Sequence, residues 1–508
     1  MEQSLLKEPI HQIKQVFESF ISTYQERLQD LFQYSNEQDK LGLQRGLPEE
    51  MMQEILNCKP LSVFIPEEYG GRGGNTSEAL SMLEVSSYQS LPLSLMMGIN
   101  GALFLQPLAN YAQESVKESV YDNILNKNKM GGLMITEPEF GSDALKMKTG
   151  FTEEGNHYRV KGIKHWAGLT GQADYWLITA RPVEENGELG RDVSFFVHDS
   201  ENGGIKVSEV FNNLGLYMLP YGRNEIDINV PKEFKLEPKS IGIKMMLDVL
   251  HRSRLQFPGM STGFLRRMMD EAVDHCKTRF VGGLSLFNYD QVKARISSLQ
   301  SHFTASSAMA YFTSRHVPLQ EDTSKMDLAA NSIKSVSTDY MQSASQHLLQ
   351  LVGAKGYRLD HIAGRSTVDS RPFQIFEGSN DILYQQITES VLKLMRGAKE
   401  TNLYAFISKH ELMQHAADRF KDVLDFEVDL KMAQRKLVEL GQAIGRIVTL
   451  NMTIELGANG FDKSMIENAI QVIESEIRQI LSGYHFTPAH VTLADHEFPL
   501  SEGWRKYL

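Results

Sequence analysis

The residue best suited to acid–base chemistry is Glu377, in the segment RPFQIFEGSNDILY. Gly378 follows it, and because glycine has no side chain, the backbone at this turn can approach a bound substrate closely. A carboxylate kept away from water has a raised pKa, and it can then remove a weakly acidic proton from carbon. An isolated glutamate before a helix is more often a surface residue, so the catalytic interpretation depends on the rest of the chain.

A second segment, MITEPEFGSD over residues 134–143, has the composition of a cofactor-binding loop. Thr136 and Ser142 supply hydroxyl groups, while Pro138 and Gly141 turn the backbone and expose its N–H groups. Such donors suit an electron-rich ring that carries negative charge. The alternative interpretation is an ordinary turn of the same composition.

Four motifs, in order along the chain, resemble those of the acyl-CoA dehydrogenases. They are IPEEYGG at residues 65–71, TEPEFGSD at 136–143, QLVGAKGY at 350–357 and FEGSNDI at 376–382. The resemblance covers about residues 50 to 395. It implies an FAD cofactor and the α,β-dehydrogenation of an acyl thioester in fatty acid metabolism, from acyl-CoA (or an acyl-carrier protein) to the trans-2-enoyl product. Electrons would then pass to an electron-transfer flavoprotein.

The same resemblance implies roles for individual residues. Glu377 is the expected catalytic base, and its backbone N–H helps to polarise the thioester, while Ser142, Arg254 and Gly378 contact the substrate. The expected contacts of FAD are Met134, Thr136, Gly141, Ser142, Trp166, Gly168, Arg279, Gln350, Gly353, Ser379 and Asp381.

Another branch of the family carries its base on the helix that corresponds to the segment around Arg254. Residues 249–269 contain no Asp or Glu, and Ser253 stands at the alternative base position. Glu377 is therefore the remaining candidate for the base.

Two positions depart from the family pattern. Gly168 stands where the family has a Thr or Ser whose hydroxyl meets the flavin, and Gly282 stands where a phenylalanine is expected after Arg279. The first departure keeps open a flavin oxidase or oxygenase on the same fold. The extra region after residue 399 keeps open a homologue of the DNA-alkylation-response kind with a mainly binding role, although its charges are mixed rather than basic.

Composition argues against several other classes of protein. No apolar run approaches the roughly 20 residues that a transmembrane segment needs. The net charge of −12 argues against a generally nucleic-acid-binding surface. Cys58 and Cys276 form no disulfide framework, and no Cys/His spacing is typical of a metal site. The N-terminal residues have no apolar signal-peptide core, so we expect a cytoplasmic protein.

The periodicity and the family resemblance together predict an α+β multidomain fold of the acyl-CoA dehydrogenase type. We expect an N-terminal helical domain over residues 1–130, a middle β-barrel or sandwich over 131–239, a C-terminal four-helix bundle over 240–398 and an additional helical domain over 399–508. The strands are predicted at HYRVKGIKHW, DYWLITARPV, VSFFVHD, GIKVSEVF and NEIDINVP. The additional helices are predicted at LMQHAADRFKDVL, LKMAQRKLVELGQAIGRIVTLNM and MIENAIQVIESEIRQIL.

The oligomeric state is predicted from the motifs around Arg279 and Gln350. In the family, these motifs reach the cofactor of a neighbouring subunit. We therefore expect a homodimer or a homotetramer.

Overall fold

The computed structural model describes residues 8–34, 43–318, 321–429, 431–486, 491 and 503–507. Its first part is helical, and two helices begin with side-chain caps, because Asn75 accepts a hydrogen bond from the Ser77 N–H and Ser90 accepts one from the Leu93 N–H. The helices of this part are α1 Glu8–Gln29, α2 Glu49–Asn57, α3 Thr76–Gln89, α4 Leu91–Asn100, α5 Gln106–Tyr111 and α6 Glu114–Lys127.

The stretch Leu91–Tyr111 is long and apolar enough to cross a membrane, but 94% of its apolar window is buried inside the protein. A helix that is apolar on every side needs neighbours on every side. Accordingly, α4 contacts α3 and the first strand of the sheet. No other helix in the described part of the chain meets the same length and composition test.

A seven-stranded sheet follows the first helices. Its strands are β1 Gly131–Met134, β2 Gly150–Glu154, β3 His157–Gly168, β4 Tyr175–Pro182, β5 Ser194–Asp199, β6 Ile205–Val210 and β7 Tyr221–Pro231. The strands lie in the order β1-β4-β2-β3-β7-β6, and β5 pairs with β4. The register of β3 on β7 shifts between His165 and Ala167, which leaves Trp166 at a bulge. Bulges commonly redirect a side chain next to a functional site.

The third part is a helical bundle built around one long helix. Its helices are α7 Gly242–Thr278, α8 Asp290–His316, α9 Asp327–Val352, α10 Ile362–Ser370 and α11 Asn380–Ala398. Helix α7 approaches α3 so closely that a Cβ atom at Gly263 would lie 2.0 Å from the carbonyl oxygen of Glu84. Ser253 and Arg254, in the first half of α7, are also buried.

The last part consists of α12 Leu403–Ile407, α13 Gln414–Ala417, α14 Lys421–Leu424, α15 Gln434–Ala458 and α16 Lys463–Phe486. Helix α15 contacts α8, α9 and α11, and α16 contacts α8 and α15. These two helices therefore extend the bundle. The predicted order of helical, β, bundle and additional helical regions is confirmed, while the residue numbers that divide the domains stay a prediction.

One predicted helix is wrong. The segment LMQHAADRFKDVL forms two short helices, α13 and α14, joined by a 3-10 turn, instead of one continuous helix. The backbone departs from helical angles at Met413 and Phe420, and both side chains are buried. Tertiary packing of these apolar residues has overridden the local helix preference.

Candidate active site

Glu377 lies in a turn whose backbone is unusual. Its φ is +56°, in the left-handed region that residues other than glycine rarely adopt, and Gly378 follows with a φ of +89°. A Cβ atom at Gly378 would lie 2.9 Å from Leu383 Cδ2 and 3.3 Å from Arg254 Nη2, so only glycine fits there without a shift. Strained backbone of this kind concentrates at functional sites.

One oxygen of the Glu377 carboxylate has a hydrogen-bond partner in the described part of the chain, and the other has none. Oε1 accepts a hydrogen bond of 2.9 Å from Ser253 Oγ. Oε2 is buried and has no hydrogen-bond partner among the residues that the structure describes. Burial raises the pKa of Glu377 above its usual value, although Arg254, Ser253 and Lys334 oppose the rise. Glu377 is therefore a carboxylate of raised pKa with one buried oxygen available to accept a proton, which is the arrangement that a general base needs.

Two basic side chains hold the backbone carbonyl groups of Glu377 and Gly378. Arg254 Nε donates to the Glu377 carbonyl oxygen at 3.0 Å, and its Nη1 donates to Asn331 Oδ1 at 2.8 Å. Lys334, one turn further along α9, donates to the Gly378 carbonyl oxygen at 2.8 Å. Burial, followed by the charge of Arg254, lowers the pKa of Lys334 to about 7. The turn is therefore fixed by hydrogen bonds from two different helices, and the one from Arg254 is charge-assisted.

The 134–143 loop is anchored by a buried ion pair beneath it. Lys164 Nζ lies 2.9 Å from Glu137 Oε1, and the two side chains are 0% and 4% exposed. The Glu137 carboxylate also accepts hydrogen bonds from the backbone N–H groups of Lys148 and Thr149. Above this anchor, Met134 is buried at the end of β1, whereas Gly141 and Ser142 are exposed.

The end of β3 adjoins this loop. The His165 N–H donates to the Thr136 carbonyl oxygen at 2.8 Å, which joins the loop to the bulge at Trp166. The indole of Trp166 is 54% exposed and contacts Phe211. The ring of Tyr221 lies 6.2 Å from the Trp166 ring, and its pKa is raised by burial and by the charge of Glu377.

Tyr221 therefore lies close to the Trp166 ring and within electrostatic range of Glu377. The structure groups Thr136, Trp166 and Gly168 near Tyr221. It groups Gly378 and Arg254 with Glu377, whose charge acts on Tyr221. Ser379 and Asp381 lie beside this group, at the N-terminal cap and in the first turn of α11.

Three predicted residues form a separate group at the far end of the bundle. Arg279 follows the last residue of α7, about 37 Å along the helix from Arg254 at 1.5 Å per residue. Gln350 and Gly353 lie at the end of α9, where both are exposed. His275, which is partly buried near these segments, has its pKa lowered by desolvation and then by Lys355, His361 and Arg279. This group is basic and distant from Glu377 of the same chain.

Several residues of the site were not found by sequence reasoning. Lys334 contacts the Glu377 turn, Asn331 contacts Arg254, and Tyr221 lies within electrostatic range of Glu377. No sequence motif names these three residues. Glu137 and Lys164 were indicated more indirectly, because Glu137 lies in the TEPEFGSD motif and Lys164 in the predicted strand HYRVKGIKHW. Ser253 was recognised as a position without a carboxylate, whereas its hydrogen bond to Glu377 was not foreseen.

Comparison with known proteins decides the family. Three domain models match in order along the chain: the acyl-CoA dehydrogenase N-terminal domain over residues 19–128, the middle domain over 132–228 and the C-terminal domain over 241–392. The chain belongs to the acyl-CoA dehydrogenase family. Family membership supports an oxidoreductase activity and confirms the prediction of FAD as the cofactor.

Individual relatives of this acyl-CoA dehydrogenase family member are distant. The bovine (Bos taurus) mitochondrial very long-chain specific acyl-CoA dehydrogenase is 22% identical over 358 residues, 69% of this chain and 54% of that protein, so the chain spans about half of its length. A Bacillus anthracis acyl-CoA dehydrogenase complexed with FAD matches with a TM-score of 0.75 and 18% identity, over 92% of this chain and 87% of that one. The prolyl acyl carrier protein oxidase AnaB matches with a TM-score of 0.65 and 17% identity, over 73% of this chain and 98% of that one. At such identities the solved structures establish the fold alone.

The residues of this acyl-CoA dehydrogenase fold fit FAD. The Trp166 indole offers an exposed apolar face at a strained position, with a φ of +56°. An aromatic face of this kind suits the flavin ring. The exposed turn at Gly141 and Ser142 offers room for a ligand, since a Cβ atom at Gly141 would meet nothing within 4 Å.

The hydrogen bond from Ser253 leads to a prediction about the pH dependence of this family member. Replacing Ser253 by alanine removes a donor that favours the ionised form of Glu377, so the pKa of Glu377 should rise further. We therefore expect the acidic limb of the kcat/KM profile to move to higher pH, with little change in kcat on the alkaline plateau. Ser261→Ala is the matched control, because Ser261 is buried on the same helix but bonds to Ser306. Superimposable profiles of the two variants would contradict this assignment.

Proposed function

We propose that the protein catalyses the α,β-dehydrogenation of an acyl thioester, with Glu377 as the base that removes the α-proton. The observation that carries the proposal is the state of the Glu377 carboxylate. One oxygen is held by Ser253, the other is buried without a partner in the described part of the chain, and the pKa is raised by burial. A carboxylate with these properties is suited to accept a proton from carbon.

The chain's own residues supply binding, orientation and proton transfer. The open Oε2 of Glu377 takes the α-proton, while Arg254 and Lys334 keep the turn in place through its carbonyl groups. The Glu377 backbone N–H is proposed to polarise the thioester carbonyl as an oxyanion-type donor. Bound FAD supplies the acceptor for the hydride that leaves the β-carbon.

We further propose the finer assignments that the resemblance implies. The thioester is carried by CoA or by an acyl-carrier protein, Ser142 contacts it, and an electron-transfer flavoprotein receives the electrons. The basic group around Arg279, with Gln350 and Gly353, suits the pyrophosphate side of FAD. Because this group is distant from Glu377 of the same chain, a homodimer or homotetramer in which one subunit's group serves its neighbour's site is consistent with the geometry.

The test is identification of the product. The purified holoprotein is incubated with acyl-CoAs of different length and an artificial electron acceptor, and the thioesters are analysed by mass. We expect the product to be two hydrogens lighter than the substrate, with a double bond between Cα and Cβ. Unchanged thioesters in every incubation, with FAD bound throughout, would refute the proposal for CoA substrates, and acyl-carrier thioesters would be tested next.

A second candidate function is oxidation of the thioester with oxygen as the acceptor. Its motivating residue is Gly168, which lacks the hydroxyl of the family pattern, and the relative AnaB is named as an acyl carrier protein oxidase. A Cβ atom at Gly168 would lie 2.7 Å from Ile99 Cδ1, so the glycine is also a packing requirement.

This contact leads to a prediction about a pair of substitutions. Gly168→Ser alone should destabilise the protein by about 1–3 kcal/mol because it overpacks the core. In combination with Ile99→Val, which removes the obstructing Cδ1 atom, most of that loss should disappear. If Gly168 favours reaction with oxygen, the ratio of turnover with an artificial acceptor to turnover with oxygen should be higher in the double variant than in Ile99→Val alone. Thermal unfolding and the two turnover rates are the measurements, and an unchanged ratio would exclude this role for Gly168.

A further inference from the structure

The segment that carries Glu377 is held at both ends by one aspartate of α9. Asp339 Oδ1 accepts hydrogen bonds from Gln374 Nε2 at 2.8 Å and from Asn380 Nδ2 at 2.7 Å. These two residues stand three positions before and three positions after Glu377. Asn380 also accepts a hydrogen bond of 2.9 Å from Lys334, so Lys334 and Asp339 both bind the side chain of Asn380.

Asp339 is in turn held by one helix of the bundle, α11, and by one helix of the additional region after residue 399, α15. Its Oδ2 accepts a hydrogen bond of 2.6 Å from the Tyr384 hydroxyl on α11 and one of 3.4 Å from Arg446 Nη2 on α15. The side chain of Asp339 is only 20% exposed. A carboxylate with so little water around it needs a nearby cation to compensate its charge.

Arg446 is itself oriented by the last long helix. Its Nε donates to Glu476 Oε2 on α16 at 3.2 Å. Glu476 also accepts hydrogen bonds from His302 on α8 and Tyr340 on α9. Burial alone would raise the pKa of Glu476, but His302, Arg446 and Tyr340 bring it down to about 2. A continuous chain of hydrogen bonds therefore runs from Glu476 on α16 through Arg446 and Asp339 to both ends of the Glu377 segment.

Arg446 and Glu476 lie outside the residues that match the family's C-terminal domain, which end at 392. We propose that these two residues are positioning residues for Glu377, and that helices α15 and α16 serve to hold residues 374–380 in their active geometry. This proposal rests on the proposed function, because it takes Glu377 as the base. It assigns the additional helical region a role in the reaction of its own subunit.

The test compares Arg446→Gln with Arg478→Gln. Arg478 is the matched control because it lies on α16 and pairs with Asp422 at the surface, at 2.7 Å. In the Arg446 variant we expect kcat to fall on the order of 10- to 100-fold, the cost of a small misplacement of a catalytic group, while KM changes little. Amide hydrogen exchange in residues 374–380 should accelerate. The Arg478 variant should show neither effect.

A charge-compensating variant separates positioning from general stability. Adding Asp339→Asn to Arg446→Gln removes the uncompensated carboxylate, so part of kcat and part of the exchange protection should return. A folded Arg446 variant with wild-type kcat and wild-type exchange in residues 374–380 would overturn the proposal. If the wild type acts on no acyl thioester, the proposed function fails, and the exchange experiment still decides whether α15 and α16 hold the segment.

Discussion

Replacing Glu377 by glutamine should lower kcat for acyl-thioester dehydrogenation by about 10²- to 10⁴-fold, the usual contribution of a positioned general base. Glutamine has nearly the same shape and keeps an oxygen that can accept the hydrogen bond from Ser253. It cannot take a proton from carbon at neutral pH. The protein should therefore fold, retain FAD and bind the substrate, while turnover is lost. Steady-state rates with an artificial electron acceptor measure the effect.

The matched control for this variant is Glu389→Gln. Glu389 lies on α11, twelve residues beyond Glu377, and accepts a hydrogen bond from Gln385 on the exposed side of the helix. Its replacement should leave kcat and FAD content unchanged. A Glu377→Gln variant that binds FAD and retains more than about a tenth of the wild-type kcat would show that another group removes the proton.

The largest expected effect on stability comes from Lys164. Its ammonium group is completely buried, and Glu137 supplies the opposite charge at 2.9 Å. Burial lowers the pKa of Lys164 to about 8, and it remains charged at neutral pH because Glu137 partly opposes this effect. Lys164→Met would leave the Glu137 carboxylate buried without its cation, which costs about 3–5 kcal/mol of the free energy of unfolding. FAD should also bind more weakly, because the same pair anchors the 134–143 loop.

Chemical denaturation and FAD titration measure these two effects. The double variant Glu137→Gln, Lys164→Met should be more stable than the single variant, since it buries no unpaired charge. Lys148→Met is the control: its ammonium group pairs with Glu139 at the surface, and such pairs contribute about 0–1 kcal/mol. Equal losses of stability in the Lys148 and Lys164 variants would contradict the role of the buried pair.

The sequence predicted the elements of the fold well where their patterns are long. The strands at β3, β4, β5, β6 and β7 and the helices α15 and α16 all lie where periodicity indicates them. Strands β1 and β2 have four and five residues, too few for an alternation pattern to develop. The continuous helix predicted over residues 412–424 is interrupted because Met413 and Phe420 are buried in the core with non-helical backbone angles. Local helix propensity does not include such tertiary packing.

The candidate site could be predicted only in part. Motifs point to Glu377 and Arg254, and the structure brings them into contact although 123 positions separate them. Lys334 and Asp339 have no such signal, because a single lysine or aspartate on a helix is usually solvated. Their role follows from the way α9 packs beneath the Glu377 turn. Long-range electrostatic contacts of this kind depend on the assembled bundle, and a local pattern does not encode them.

The most direct test of the central claim is an anaerobic titration of the FAD-loaded protein with acyl-CoAs of increasing length, followed by the flavin absorbance. We predict that at least one chain length bleaches the flavin of the wild type and that none bleaches that of Glu377→Gln. Equal bleaching in both proteins would refute Glu377 as the base. A wild type that keeps its flavin oxidised with every acyl-CoA and every acyl-carrier thioester would contradict acyl-thioester dehydrogenation itself.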